Sequence, residues 1–269
     1  MTAPKPQTDG TPKRPRVIAI VNQKGGVGKT TTAVNLATAL AAAHVPVLLI
    51  DFDPQGNAST GLGIDQRQRG AGIYQVLLDD VPLAKVIQRT AIPGLDIVTS
   101  SVDLSGAEVE LVSGVEREHR LRLAIAQARL RYEYILIDCP PSLGLLTVNA
   151  LVAADSVLVP LQCEFYALEG LSHLIRTIER VKRSLNPALE IQGLVLTMFD
   201  RRNNLSEQVA ADVRGHFGAK VYDTVIPRNV RVSEAPSHGK PVLLYDLRSP
   251  GAQAYIQLAA ELLKRERQR

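Results

Sequence analysis

The residues best suited to chemistry in this sequence form a glycine-rich stretch, Lys24-Gly25-Gly26-Val27-Gly28-Lys29-Thr30-Thr31. Glycines allow backbone N–H groups to turn inward around phosphate oxygens, and a helix beginning at Lys29 adds its partial positive charge. In that arrangement the Lys29 ammonium reaches the β- and γ-phosphates of a nucleotide, and the Thr30 hydroxyl ligates Mg²⁺. The stretch therefore predicts a phosphate-binding loop.

The loop departs from the general pattern G-x-x-x-x-G-K-[ST] at its first position, where Gln23 replaces glycine. Lys24 is an additional cation at the front of the loop. Because Lys29 already binds the phosphates held by this loop, we expect Lys24 to have a different function.

Aspartates follow two predicted strands, where open α/β sheets bind their ligands. Asp51 and Asp53 end the second strand, and Asp138 ends a later one. A carboxylate beside Mg²⁺ can hold its water ligands, and one beside the γ-phosphate can orient the attacking water. We assign Asp138 to the metal shell through water, and Asp53 to the attacking water with a water-mediated link to the metal. Asp51 could share the metal-side role, and each aspartate could instead cap a helix or form a turn, Asp51 most of all.

The elements that must position these groups follow from the apolar pattern. Residues 17–21 are a continuous, mostly β-branched run typical of a strand buried on both faces, 30–43 have helical spacing, and 45–50 form the next strand. Alternation of this kind predicts an α/β fold with a single doubly wound, mostly parallel sheet and helices on both faces. Further strands are predicted at 95–99, 134–138, 156–160 and 192–199, and helices near 104–112, 116–131, 144–153, 167–185, 206–217 and 250–265.

Composition sets the broad class. The chain has 269 residues, 45% of them hydrophobic and 22% charged, which is typical of a globular protein. We expect one domain over 17–269, preceded by a flexible, basic, proline-rich tail over 1–16. Two cysteines provide neither a disulfide framework nor a zinc site, and this fits a reducing cytoplasm. The sequence has no run of about 18 apolar residues, so no membrane span is predicted, and residues 1–16 lack an apolar core, so no signal peptide is predicted.

The net charge of +4 is unevenly distributed. Residues 17–199 contain 15 basic and 18 acidic residues, whereas 200–240 contain seven basic and five acidic ones. Residues 1–16 and 241–269 are also positive. Such asymmetry can mark a surface that binds a polyanion, and solvated surface charge is an equal alternative.

Five stretches together carry a resemblance to a known family. They are 21–31, 51–57, 138–144, 162–170 and 226–241. Through them the chain resembles the chromosomal ParA/Soj partition ATPases, of the ParA/MinD class with a deviant Walker A loop. The resemblance implies ATP and Mg²⁺ as cofactors and a homodimer that sandwiches ATP, in which Lys24 reaches the phosphates bound by the partner subunit. It further implies weak ATPase activity, sequence-independent binding of the ATP-bound dimer to double-stranded DNA, and release when a ParB-type protein stimulates hydrolysis.

The same resemblance implies roles for individual residues. Asp53 corresponds to the hydrolytic aspartate, acting with Lys24 and Lys29, while Pro227 and Asn229 correspond to an adenine pocket for which a plain turn is the alternative. The implied location is cytoplasmic and nucleoid-associated. The DNA-binding residues expected from the resemblance and the local charge are Arg202 and Arg231, with Arg201, Arg228 and Lys240 as further candidates that could equally be solvated surface charges.

Three other readings remain open. A MinD-like ATPase that cycles on membranes needs an amphipathic C-terminal anchor, but residues 264–269 are charged and lack an apolar face. An electron-transfer reductase would hold an Fe–S cluster on cysteines, and Cys139 and Cys163 do not have the expected arrangement. A metabolic ATPase or ligase would need a second substrate motif, which is not visible.

Sixteen residues before the first strand are too few for a helix-turn-helix, so we do not expect operator-specific repression.

Overall fold

The computed structural model describes residues 14–128 and 131–268. The predicted tail lies outside the described residues over 1–13. Its last residues belong to the folded part, since Arg14 donates a hydrogen bond to Asp155 at 2.7 Å and Arg16 begins the first strand. Residues 129 and 130, at the end of the predicted helix 116–131, are likewise outside the described part.

The strands form one sheet, as predicted. They are β1 (Arg16–Ile20), β2 (Val47–Asp51), β3 (Ile87–Arg89), β4 (Leu95–Val98), β5 (Tyr134–Asp138), β6 (Ser156–Gln162), β7 (Glu190–Phe199) and β8 (Val221–Pro227). Their order is β3-β4-β2-β5-β1-β6-β7-β8, and only the β3–β4 pairing within this sheet is antiparallel. The mostly parallel α/β sheet is confirmed.

The helices cover both faces of this sheet. They are α1 (Lys29–Ala42), α2 (Asn57–Gly61), α3 (Ile73–Leu78), α4 (Leu83–Val86), α5 (Leu104–Glu110), α6 (Arg120–Gln127), α7 (Leu145–Ala153), α8 (Ala167–Ser184), α9 (Asn204–Phe217), α10 (Val230–Glu234), α11 (Val242–Tyr245) and α12 (Pro250–Arg267). No helix in the described part of the chain combines the length and the apolar content that crossing a membrane requires.

The continuous apolar runs are explained by burial on both faces. In β1, Val17 and Ala19 belong to one core, while Ile18 and Ile20 belong to the other. The first core lies beneath α3–α9, and the second lies beneath α1, α2, α11 and α12. Because alternate side chains of a strand point to opposite faces, a strand covered on both sides must be apolar throughout.

The sequence pattern missed both edge strands and the shortest helices. Strand β3 has only three residues, and β8 contains Asp223, Thr224 and Pro227, so neither produces a buried apolar run. Helices of four to six residues are too short to display a helical repeat, which explains why α2, α3, α4, α10 and α11 were not predicted. Helix α6 is shorter than the predicted 116–131.

Candidate functional site

The glycine-rich loop connects β1 to α1 in the center of the sheet. Gly26 and Gly28 have φ angles of 74° and 86°, in the left-handed region where side chains other than glycine are strained. Helix α1 begins at Lys29, directly after Gly28. The loop therefore presents a turn of backbone at a helix N-terminus, which is an arrangement suited to binding phosphate.

Two side chains hold the loop in place through three hydrogen bonds. The Asn22 amide donates to the Pro160 carbonyl at 2.7 Å, and its oxygen accepts from the Lys24 N–H at 3.0 Å. From the end of β7, the Thr197 hydroxyl donates to the Val27 carbonyl at 2.8 Å. Sequence reasoning missed Asn22 and Thr197, although Asn22 adjoins the loop and Thr197 lies near the carboxyl end of a predicted strand.

Lys29 is buried at the base of the loop, with 6% of its surface exposed. Its ammonium donates to the Lys24 carbonyl at 3.1 Å. Burial lowers the pKa of Lys29, and the negative charges of Asp138 and Asp53 oppose that change. A buried ammonium of this kind gains free energy from an anionic ligand that replaces its lost hydration.

Asp138 is fully buried at the end of β5, and neither of its carboxylate oxygens has a hydrogen-bond partner of good geometry. Burial and then the neighboring Asp51 raise the pKa of Asp138 well above its usual range, while the nearby Thr30 hydroxyl and the Lys29 ammonium act in the opposite direction. A buried carboxylate with free lone pairs beside a hydroxyl is a donor set that fits Mg²⁺. Within 14–128 and 131–268 there is no cluster of three or more His, Cys, Asp or Glu suited to a metal, so phosphate and water oxygens would have to complete the shell.

Asp53 lies on the turn after β2 and is nearly buried, with 7% exposed. Its Oδ1 atom accepts from the Gln55 N–H at 3.0 Å, so the turn-forming alternative describes part of what it does. Its charge acts on Lys29 and Asp138, which places it in the same electrostatic cluster as the loop lysine.

Asp51 has a capping role in this structure. Its Oδ2 atom accepts from the N–H and the hydroxyl of Ser59 in α2, at 2.8 and 2.6 Å. Burial raises the pKa of Asp51 to about 6, against the effect of those hydrogen bonds. Asp51 thus connects the end of β2 to α2, which follows the turn containing Asp53.

Arg69 fixes the other side of that turn, and sequence reasoning gave no signal for it. Its guanidinium donates to the carbonyls of Ser100 and Gly56, at 3.2 and 3.0 Å, and to the Thr60 hydroxyl at 2.7 Å. Gly56 has a φ of 64°, and a Cβ there would lie 2.1 Å from the guanidinium. The turn between Asp53 and α2 is consequently held on both sides.

Lys24 extends from the front of the loop toward the segment before α8. Its ammonium forms an ion pair with Glu164, and both side chains are 44% exposed. The neighboring Gln23 amide donates to the Gly170 carbonyl at 3.0 Å. The loop and the start of α8 are therefore joined by two side-chain contacts.

The two arginines that the resemblance singles out are both exposed and both paired with carboxylates. Arg202 binds Asp200 through two hydrogen bonds of 3.0 Å. Arg231 pairs with Glu234 at 3.0 Å and Asp246 at 3.5 Å.

The other candidate cations are exposed, and in the described part of the chain none forms an ion pair; they are Arg201, Arg228 and Lys240. Lys240 lines a cavity of about 260 Å³ between α1, α2 and the turn after α10, together with Thr30 and Thr31. The structure thus brings Lys240 close to the phosphate loop.

The predicted adenine-pocket residues lie where β7 and β8 end. Asn229 caps α10, since its side chain accepts from the Val232 N–H at 3.3 Å, and Pro227 is the last residue of β8. The Arg228 N–H donates to the Phe199 carbonyl at 3.0 Å, which joins this turn to the end of β7. Near that end, the Met198 methyl group lies 3.7 Å from the position that a Cβ on Gly28 would take. A ligand in the loop would therefore have these strand ends beside it.

A glycine loop between a strand and a helix, with a buried lysine and aspartates from adjacent strand ends, defines a P-loop nucleoside-triphosphate-binding protein.

Comparison of this chain with known proteins identifies its family. Residues 15–191 match the AAA domain family AAA_31. The chain is 65% identical to the chromosome partitioning protein ParA of Caulobacter vibrioides, over 94% of this chain and 96% of that protein. It is 55% identical to the sporulation initiation inhibitor protein Soj of Bacillus subtilis, over 92% and 98% respectively. The chain belongs to the ParA/Soj family of chromosome-partitioning proteins.

A solved structure with the same fold is the cobyrinic acid a,c-diamide synthase of Mycobacterium smegmatis with a bound ATP analog and magnesium. It has 38% sequence identity and a TM-score of 0.83, and the match covers 94% of this chain and 96% of that one.

Proposed function

We propose that this chain is a Mg²⁺-dependent, DNA-partitioning ATPase that cycles between a monomer and an ATP-bound dimer on DNA. The observation that carries the proposal is the buried Lys29 at a helix N-terminus, beside the unpartnered carboxylate of Asp138. The 65% identity to a chromosome partitioning protein supports the biological role.

Each residue of the site has a distinct part in this reaction. The loop N–H groups and Lys29 bind the triphosphate, and Thr30 and Asp138 hold the metal, Asp138 through water. Bound Mg²⁺ would neutralize charge on the transferred phosphoryl group. Asp53 orients the attacking water, since it is nearly buried and lies within the electrostatic cluster around Lys29. Hydrolysis is slow alone because positioning is incomplete until a ParB-type partner binds.

Dimerization uses Lys24, which is on the surface at the front of the loop and is not required by the phosphates that its own chain binds. In the dimer its ammonium reaches the phosphates held by the second copy. The dimer is therefore formed only when ATP is present.

DNA binding uses the cations after β7 and β8. Arg202 and Arg231 are exposed, and Arg201 and Arg228 are exposed cations without ion pairs in the described chain. Arginines of this kind contact phosphates and carry no sequence information, so binding is sequence-independent and salt-sensitive. This activity places the protein in the cytoplasm, on the nucleoid.

Membrane cycling is the rival function, and the packing of α12 argues against it. Leu258 and Leu262 are fully buried in the core, and Arg265 donates to the Val221 carbonyl at 2.9 Å. The apolar side of α12 is thus covered by β8 and α1. Cosedimentation of the protein with anionic vesicles in the presence of ATP would support the rival.

The proposal is tested by measuring binding to a nonspecific DNA duplex with ATP, with ADP and without nucleotide, across a salt series. We expect ATP-dependent binding that weakens steeply as salt increases. Binding that is independent of nucleotide would contradict the proposed cycle.

A further inference from the structure

Lys24 is held by its own chain. Its ammonium pairs with the Glu164 carboxylate, which comes from the segment between β6 and α8, 140 residues away in sequence. The side chain assigned to the phosphates of a second copy therefore already has an anionic partner.

The pairing is fixed by the backbone on both sides. On the loop side, Asn22 is anchored to the Pro160 carbonyl at 2.7 Å and accepts from the Lys24 N–H at 3.0 Å, which sets where the lysine leaves the loop. On the other side, the Glu164 carbonyl accepts from the Ala167 N–H at 2.9 Å, and Gln23 ties the loop to Gly170. The two charged groups are thus presented to each other by anchored turns.

Lys24 also has a backbone contact, next to its side-chain contact with Glu164. Lys29 donates to the Lys24 carbonyl at 3.1 Å, so the phosphate-binding lysine and the front lysine are directly connected. The backbone carbonyl of Lys24 is therefore a partner of Lys29, while the side chain of Lys24 is paired with Glu164.

We propose that Glu164 is an intramolecular competitor for Lys24, and that its carboxylate sets the threshold for ATP-dependent dimerization. This inference rests on the proposed function. A carboxylate and a phosphate oxygen compete for the same ammonium, so Lys24 can reach the second copy only when it leaves Glu164. The competitor lowers the stability of every dimer that uses Lys24, so a dimer forms only where the contact of Lys24 with phosphate outweighs its contact with Glu164.

The exposure of Lys24 and Glu164 limits how much their ion pair can change the dimerization equilibrium. Both side chains are 44% exposed, so water screens the pair and its loss changes an equilibrium by no more than about five-fold per chain. That is enough to shift a threshold and too little to prevent dimerization. The competition must also weaken at high ionic strength.

The test compares Glu164→Gln with Glu169→Gln. Glu169 is an exposed glutamate in the first turn of α8, so its substitution makes the same charge change nearby without touching Lys24. Dimerization is measured by light scattering as a function of protein concentration with Mg²⁺ and ATPγS, and again with ADP. Thermal melting of each variant checks the fold.

Because a dimer contains two such pairs, we expect Glu164→Gln to reach half-maximal dimerization at a protein concentration about two- to 25-fold lower than that of the wild type. Glu169→Gln should match the wild type, and the difference should shrink in 0.5 M salt. A wild-type protein that stays monomeric with ATPγS would overturn both the proposed cycle and this inference. A wild-type dimer with an unchanged or higher threshold in Glu164→Gln would overturn the competitor alone.

Discussion

Asp51 and Asp138 lie opposite each other on the neighboring parallel strands β2 and β5, and both are fully buried. In the next strand, Ile20 of β1 is in register with Asp138, immediately before the glycine-rich loop. Burial raises the pKa of each aspartate, and the charge of Asp51 adds to the effect on Asp138. The two buried carboxylates repel each other when both are ionized, and the Mg²⁺ that we propose binds beside Asp138 would reduce that repulsion.

Stability should depend on pH through this pair. The pKa of Asp51 rises from 3.8 to about 6 on folding, so the native state binds more protons in that interval. The contribution of Asp51 to the free energy of unfolding is therefore fully present below pH 4 and is lost as the pH rises through about 6. In urea unfolding with a chelator, Asp51→Asn should remove about 1 kcal/mol of the decrease between pH 5 and pH 7. The exposed Asp212→Asn serves as control, and an unchanged slope in Asp51→Asn would contradict the assignment.

Asp53→Ala should separate binding from hydrolysis. The change removes the carboxylate that we propose orients the attacking water and leaves Lys29 and the loop in place, so ATP binding, dimerization and DNA association should persist. We expect turnover to fall by about 100-fold or more, as measured by phosphate release. The exposed Asp79→Ala is the matched control, and normal turnover in Asp53→Ala would remove this residue from the mechanism.

Arg231→Glu should abolish DNA binding, because we propose that this exposed side chain contacts DNA phosphates. ATP-driven dimers should remain intact, because Arg231 has no part in the proposed nucleotide site. Arg202→Glu should act in the same way. The measurement is a mobility shift with nonspecific duplex at low salt, with dimerization followed separately by light scattering. Arg183→Glu on α8 is the control, and unchanged binding in the first two variants would place the DNA surface elsewhere.

Thr197→Val should weaken nucleotide binding without unfolding the protein. The substitution keeps the shape of the side chain but removes the hydroxyl that donates to the Val27 carbonyl at 2.8 Å. Since one such hydrogen bond is worth about 1 kcal/mol, the dissociation constant for ATP should rise roughly five-fold. Titration calorimetry measures this, and an affinity equal to that of Thr177→Val on α8 would show that the anchor does not matter.

The cysteines should be unreactive in the native protein. Burial raises the pKa of Cys163 to about 11 and that of Cys139 well above its usual range. Because the thiolate is the reactive form, iodoacetamide labeling at pH 8 should be slow in buffer and rapid in urea. Rapid native labeling would contradict the protection of these thiols by burial, whereas a brown chromophore in the purified protein would favor the Fe–S alternative.

Sequence alone determined the features that depend on consecutive residues. The phosphate loop is read from eight neighboring positions, and the central strands are read from apolar runs, because burial on both faces leaves no polar position. The motif resemblance also identified the family, which the comparisons confirmed. Asp138, named as a metal-side residue, lies buried beside the loop, and that role remains a prediction.

Tertiary structure decided which distant residues meet. Sheet order places Asp51 beside Asp138, and anchored turns bring Glu164 to Lys24 and Arg69 to the turn after Asp53. The edge strands β3 and β8 also became visible only in the sheet, since their short or polar sequences pair with neighbors that the local pattern does not specify. Local sequence encodes burial and turn geometry, whereas contacts across the chain depend on the order in which strands pack, and that order is a property of the whole fold.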